Sequence, residues 1–328
     1  MDPHEYTGSV HRSQTVRSGP ISRLPTGGLI TLTVKHVRMD ERAALGLVSE
    51  LVTAAGDDAA VVDGQVLTID MLHDRTDFPD GTTRYTAGWR AVGASLSDVA
   101  AMGATATAAV AVYGAPDFDD WELSAFLRGA TDVCEAVGAE YVGGDLDSHQ
   151  EFTVATAALG RTDDPILRSG ATPGDLVCVT GTLGRSAAAL RLFEAEERER
   201  ANEMFRFLPR VQAGLALSVH ATAMMDSSDG LARSLHQLAA ESGCGFAIQL
   251  DDVPIDESVL DLAASESDVR EMGLHFGEDF ELVLTLPESA LDAASASLEV
   301  PLSVVGEVTD GDVLLDDEPL SDRGFTHG

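Results

Sequence analysis

A chain of 328 residues has room for two domains with cores of ordinary size. Its apolar fraction of 44% and mean hydropathy of +0.04 belong to a globular protein, but 21 Lys+Arg against 55 Asp+Glu leave a net charge of −34, with Lys35 the only lysine. Such a charge repels nucleic acid and anionic membranes and excludes both as partners, while long, regular apolar segments exclude an acidic disordered chain.

An acidic, lysine-poor surface points to life in concentrated salt, where repulsion is screened within ~3 Å at 1 M. Cys134, Cys178 and Cys244 are odd in number and lack CxxC spacing. They read as reduced thiols of a cytoplasmic protein, with no disulfide framework and no zinc site. No apolar run approaches the ~20 residues that span a bilayer, and no apolar signal core opens the chain.

Residues 1–38 hold five basic and two acidic side chains, leaving 16 basic and 53 acidic ones for the rest. Rich in Ser, Thr, Pro and Gly, they read as a flexible extension before a first domain over 39–162. From Asp40 to about Ala55 apolar residues recur at helical spacing behind an acidic first turn. The stretch Ala54–Leu72 then organises the chain. It reads Gly-Asp-Asp, an apolar run, a turn at Asp63-Gly64 and a second apolar run holding Asp70, which predicts a hairpin. Carboxylates inside apolar strands are costly unless a cation meets them. Two of them ~4 Å apart repel by roughly 4 kcal/mol at an effective dielectric near 20.

Polar, turn-rich residues 73–86 form a loop suited to substrate contacts. A helix is expected over Trp89–Gly103, with Val92, Leu96, Val99 and Met102 on its apolar face. Asp98 lies alone on a second stripe of alanines (91, 94, 101), either aimed into a close-packed gap or simply a surface acid. A strand (Thr105–Tyr113), a helix (Trp121–Val137), the run Tyr141–Asp145 with Gly143-Gly144 before an Asp145 at the strand's exit, and a strand (Phe152–Leu159) follow. This alternation argues an α/β or α+β fold.

The turn-rich segment 161–175 marks the boundary to a second domain over 163–328. It contains Arg168, a guanidinium suited equally to bidentate phosphate binding or to a linker salt bridge. After a strand from Leu176 and a helix from Ser186, Asp226-Ser-Ser-Asp229-Gly forms a strand-to-helix turn before Leu231–Ser242. Its N–H groups and hydroxyls suit phosphate and its carboxylates suit metal; helix capping would account for one of these residues. Strand Phe246–Leu250, helix Ser258–Ser265, Gly277-Glu278-Asp279 before another strand, and helix Leu291–Leu298 complete the pattern.

No GxxxxGK[ST], GxGxxG, HExxH or GxSxG occurs. What remains is Asp57, Asp58, Asp70, Asp98, Asp145, Asp226 and Asp229, each at an apolar-to-turn junction. Oxygen-only donors of this kind suit Mg²⁺ shared with substrate phosphates, the arrangement of a phosphoryl-transfer site.

Taken in order, GDD (56–58), the Asp70 strand, SLSDVAAMGA (95–104), GGD (143–145), LRSG (167–170), DSSDG (226–230) and GEDFEL (277–282) resemble the thiamine-monophosphate kinases of the aminoimidazole-ribonucleotide-synthetase-like ATP-binding superfamily. The resemblance runs from about Asp40 to the C-terminus. It implies a two-domain α/β (α+β) fold whose N-terminal sheet domain pairs with its twin in a homodimer, beside a C-terminal α/β domain. It also implies transfer of a phosphoryl group from ATP, the co-substrate, to thiamine monophosphate with Mg²⁺.

On the matching positions, Asp58, Asp70, Asp98, Asp145, Asp226 and Asp229 would hold metal, helped by Asp57 and Thr68. Gly144, Asp145, Arg168 and Ser228 would contact ATP. Glu278 would face the thiamine, with Asp77 and Phe325 also on the substrate side. Three places depart from the family pattern. Thr68-Ile69-Asp70-Met71 lacks one metal-side hydroxyl, Asp77-Phe78 replaces a His-Phe pair, and Phe325 is the C-terminal ring in a shifted context. No catalytic base is expected, because the acceptor is already a phosphate oxygen.

The competing readings are another ATP-dependent member such as aminoimidazole ribonucleotide synthetase, and a non-catalytic nucleotide-binding member. Selenophosphate synthetase and the hydrogenase-maturation member each need a residue that is absent here: a reactive Cys or selenocysteine with an N-terminal Lys, and a C-terminal Cys.

The charge carries its own prediction. Raising KCl should raise the melting temperature, and millimolar MgCl₂ at matched ionic strength should raise it further by binding the folded site. Identical unfolding curves in the two salts would contradict a specific carboxylate–magnesium site.

Overall fold

The computed structural model describes residues 55–325, together with 44, 46–48, 51 and 52. The extension 1–38 lies outside the described residues, as does most of the Asp40–Ala55 segment, in which 44, 46–48 and 51 are helical.

The hairpin forms as its turn chemistry requires. Strands β1 (Ala60–Val62) and β2 (Gln65–His73) pair antiparallel with Val62 opposite Gln65. Between them Asp63 and Gly64 both take positive φ, 51° and 74°, conformations that Asp and Gly tolerate best. Along β2 burial alternates strictly: Val66, Thr68 and Leu72 point inward, while Leu67, Ile69 and Met71 face out.

Helix α1 (Arg84–Ala101) begins five residues before the expected Trp89, because Thr83 caps it by accepting from the Thr86 N–H. Nearly every residue from Thr86 to Ala101 is buried, so it is enclosed on all sides instead of having one apolar face. Strand β3 (Thr105–Ala115) and helix α2 (Asp120–Val137), capped by Asp119 and closed by Gly138 at φ 80°, lead to β4 (Glu140–Ser148). Strand β5 (Thr153–Arg161) then inserts between β2 and β3, giving the order β1-β2-β5-β3-β4.

β3 and β4 run parallel, as a strand–helix–strand crossover requires. Strand β4 continues to Ser148, so Asp145 lies mid-strand and not at its exit, because pairing with β3 persists from Val112–Asp145 to Ala115–Ser148. Gly144 is obligatory there: a Cβ would sit 1.7 Å from the Ala111 carbonyl oxygen.

The second sheet has the order β12-β11-β8-β10-β6-β9-β7, with β6 (Leu176–Thr180), β7 (Ala223–Asp226), β8 (Gly245–Ile248), β9 (Leu282–Leu286), β10 (Leu302–Thr309), β11 (Val313–Leu315) and β12 (Glu318–Pro319). Its pairs are antiparallel except β8–β11. Helices α3 (Arg185–Glu194), α4 (Arg198–Phe205), α5 (Val211–Leu217) and α6 (Leu231–Ser242) pack around it. The largest core does not stop at the boundary segment: Val92 and Leu96 of α1, with Met102 just after it, share it with Val211, Met224, Leu282 and Leu284. The two halves therefore meet through α1. Among the described residues no helix is long and apolar enough to cross a membrane.

Candidate active site

Three elements distant in sequence converge where α1 crosses between the sheets. Asp58 precedes β1, Asp98 lies in the last turn of α1, and Asp226 ends β7; one carboxylate oxygen of each lies within 4.8 Å of the others. The Asp58 side chain is 1% exposed and Asp226 is likewise 1% exposed. Each carboxylate has a donor fixed by secondary structure. Thr68, pointing inward from β2, donates to Asp98. Ser97 of α1 donates to Asp226 at 2.5 Å. Arg168 grips Asp58 with two N–H groups at 2.9 and 3.2 Å, and its backbone N–H donates to Asp57 at 2.8 Å.

One arginine cannot neutralise three converging acids, and Asp98 and Asp226 are pushed toward holding protons. Burial, reinforced by Asp226 and Asp58, pushes Asp98 well above the carboxylate range. Burial, then the charge of Asp58, pushes Asp226 up to about 7, against the pull of the Ser97 hydroxyl and Arg168. A set of hard oxygen donors that repel one another until a dication joins them fits Mg²⁺ and not a soft metal.

The other expected residues fall around this cluster. Asp70, Asp98, Ser228, Asp229, Glu278 and Phe325 line one pocket of about 160 Å³, which Asp77 also borders. Asp70 is half-buried on the inner face of β2, so the expected wholly apolar setting is not what it has. Asp145 stands apart from the three clustered acids. The register Met71–Ala155–Val112–Asp145 puts it on the opposite row of the pleat from Asp70, whose row runs Asp70–Thr156–Ala111–Gly144. It nonetheless borders, with Gly144 and Asp70, a wider groove of about 1120 Å³ that Phe325 also reaches.

Arg168 faces an acid, the linker-type pairing, and Asp77 closes its own turn by accepting from the His73 N–H and the Thr76 hydroxyl, both at 2.7 Å. The DSSDG turn is not spent on capping, since α6 starts at Gly230 without any side-chain cap. Its geometry depends on the GEDFEL turn instead: Glu278 N–H donates to the Ser228 carbonyl at 2.6 Å, and a Cβ on Gly277 would lie 2.4 Å from that oxygen.

Two residues that matter here carried weak sequence signals. Ser97 is one more small polar residue beside Asp98. Arg90, on the alanine-rich part of α1, is 2% exposed and pairs with Glu278 at 2.8 Å. The only hint was an arginine where the pattern asks for an apolar residue.

The chain matches the AIR synthase related protein N-terminal domain over residues 56–162 and its C-terminal domain over residues 172–315. It is 64% identical to a thiamine-monophosphate kinase of Halobacterium salinarum, over 88% of this chain and 100% of that protein. A crystal structure of thiamine-monophosphate kinase from Stenotrophomonas maltophilia is similar at 29% identity and a TM-score of 0.73, covering 84% of this chain and 95% of the other. A structure of AaThiL complexed with AMPPCP and TMP is similar at 26% identity and a TM-score of 0.81, over 89% and 99% of the two chains.

The raised carboxyls predict a pH signature. An acid whose folded pKa lies above its unfolded value loses stabilising protonation as pH rises from about 4 to 7, so the metal-free fold weakens across that window. Asp226→Asn removes this loss. In chelator and constant KCl the variant should gain melting temperature over the parent as pH rises from 5 to 8, while its response to Mg²⁺ shrinks. Parallel pH profiles for the two proteins would contradict the assignment.

Proposed function

As a member of the thiamine-monophosphate kinases within the AIR synthase related proteins, the chain phosphorylates thiamine monophosphate to thiamine diphosphate with ATP, and we propose that it does so with Mg²⁺ at the carboxylate cluster. The observation that carries this placement is the convergence of Asp58, Asp98 and Asp226 within 4.8 Å, with two of the three carboxyls forced toward protonation. Asp58, Asp98 and Asp226 would hold the metal, with Asp57, Thr68, Asp70, Asp145 and Asp229 supporting it or the phosphates it carries. Bound magnesium supplies the positive charge that offsets the polyphosphate, in a chain whose only lysine lies in the extension.

The nucleotide fits the groove bordered by Gly144 and Asp145. Ser228 lines the smaller pocket beside it, and Arg168 pairs with Asp58 of the cluster. Arg168, anchored on Asp58, brings a guanidinium toward phosphate oxygens without a long flexible reach. The vitamin end fits the smaller pocket, where Phe325 presents a ring and Glu278 a carboxylate to a cationic heteroaromatic group. The acceptor is an ionised phosphate oxygen, so no side chain needs to remove a proton. The residues instead hold donor and acceptor in line and exclude water. Three unpaired cysteines agree with a reducing, cytoplasmic setting.

The outer face of the first sheet, which also forms a wall of that groove, supports a homodimer whose second copy would close the groove. Ile69 is 78% exposed, and Leu67 and Met71 of the same strand, Leu159 of β5 and Val110 and Val112 of β3 are exposed with it on the same face, a contiguous apolar face of the kind that sheets cover with a second copy.

Two measurements test this reading. Incubation with ATP, MgCl₂ and thiamine monophosphate at high KCl should yield thiamine diphosphate, and Asp98→Asn should lower turnover by about a thousandfold or more while the fold survives. Folded Asp98→Asn with near-parental activity would remove Asp98 from the site. For the face, Ile69→Asp should convert a dimer to a monomer in light scattering; an unchanged mass would contradict it.

A further inference from the structure

Arg90 is a buried cation that the phosphoryl-transfer reading does not use. Its guanidinium, 2% exposed, lies 3.6 Å over the Phe205 ring and donates to the Phe205 carbonyl at 2.5 Å. It also donates to the Glu278 carboxylate at 2.8 Å and approaches the Ser186 hydroxyl at 3.4 Å. Taking an arginine out of water costs several kcal/mol and is tolerated only where its donors are all met. A hydrophobic side chain would fill this core more cheaply, so the pairing needs another reason.

Glu278 is the other half of that reason. It holds a left-handed φ of 61°, and Phe280, two residues on, holds 55°, both strained for side chains of their size. Three contacts maintain the strained turn: the Glu278 N–H on the Ser228 carbonyl, the Ser186 hydroxyl on the Glu278 carbonyl at 2.6 Å, and Phe280 stacked on Phe207 at 4.1 Å. The turn keeps Glu278 on the wall of the pocket it shares with Phe325 and Asp98, and burial there works against a charged carboxylate.

Resting on the function proposed above, we propose that Arg90 is a positioning residue: it holds Glu278 at the thiamine-binding end of the pocket and, from the same helix that carries Ser97 and Asp98, sets the spacing between that end and the metal-binding carboxylates. Asp98 follows Arg90 by eight positions on one helix, about 12 Å of rigid rise. Both ends of the substrate are thereby gauged by a single element, and the pair acts on the vitamin end alone.

The test is steady-state kinetics at high KCl on the full chain. Arg90→Lys keeps the charge but loses the fork that reaches Glu278 and the Phe205 carbonyl together. It should raise KM for thiamine monophosphate by about tenfold or more, leave KM for ATP within about twofold, and keep the Mg²⁺-dependent rise in melting temperature. Glu278→Gln should do the same, and the double variant should be no worse than Glu278→Gln alone, since one residue acts through the other. Equal rises in both KM values, or fully additive effects, would overturn the proposal.

Should Arg90→Lys fail to fold, Ser186→Ala decides: it loosens the same turn from outside the buried pair, and an unchanged KM for thiamine monophosphate would overturn the proposal. A parent chain that makes no thiamine diphosphate would instead remove the function on which this rests, an outcome distinct from a kinase indifferent to Arg90.

Discussion

The mutual repulsion of Asp58, Asp98 and Asp226 is the constraint to which the rest of the structure answers. Left alone, three acids within 4.8 Å in a buried setting would push their strands and helix apart. The fold counters this with hydrogen bonds from rigid elements: Thr68 from a strand, Ser97 from a helix and Arg168 from the segment between the halves. Thr68 and Ser97 hold their carboxylates in place without cancelling charge, and Arg168 offsets only one of the three. On the function proposed above, a divalent cation would remove the remaining deficit, and affinity for it would be stored in the fold as unfavourable electrostatics.

Helix α1 makes that storage possible. It is buried along almost its whole length, between the first sheet, α2 and residues of the second half, and its core contacts run continuously into β7 and β9. A helix so enclosed cannot rotate or slide to relieve strain at one end. Its alanines allow neighbours to approach closely, which is why Asp98 meets an aspartate of the other half across the boundary. Arg90 and Ser97 are thus committed to partners in the second half, Glu278 and Asp226, while Asp98 takes its hydrogen bond from Thr68 of the first.

The turn at residues 277–281 shows how one short segment divides its acids among different tasks. Glu278 faces the pocket; Asp279 accepts from the Gly184 and Ser186 N–H groups at 2.6 and 2.9 Å at the start of α3; Glu281 is gripped by Arg210 and accepts from Thr180 at 2.7 Å. A carboxylate at a helix N-terminus and a buried bidentate ion pair anchor the turn on both sides. That anchoring allows the strained Glu278 between them.

By itself the sequence determined the elements whose rules are local. The Asp63-Gly64 hairpin, the alternation along β2, the helix closed after Val137 by Gly138 and the strand-to-helix turn at Asp226–Gly230 all follow from turn chemistry and periodicity over a few residues. The set of acids was legible for the same reason, because a lone carboxylate at an apolar junction is costly wherever the chain goes.

Tertiary structure alone decided which acids meet. Asp58, Asp98 and Asp226 are joined by packing across both halves, while the pleat of β4 carries Asp145 to the opposite row, a matter of register that no local pattern encodes. It also decided that Arg168 would hold Asp58 and that Arg90 would be buried against Glu278. Each of these is a pairing between residues far apart in the chain. Its energy depends on burial and distance, and neither exists until the core has formed.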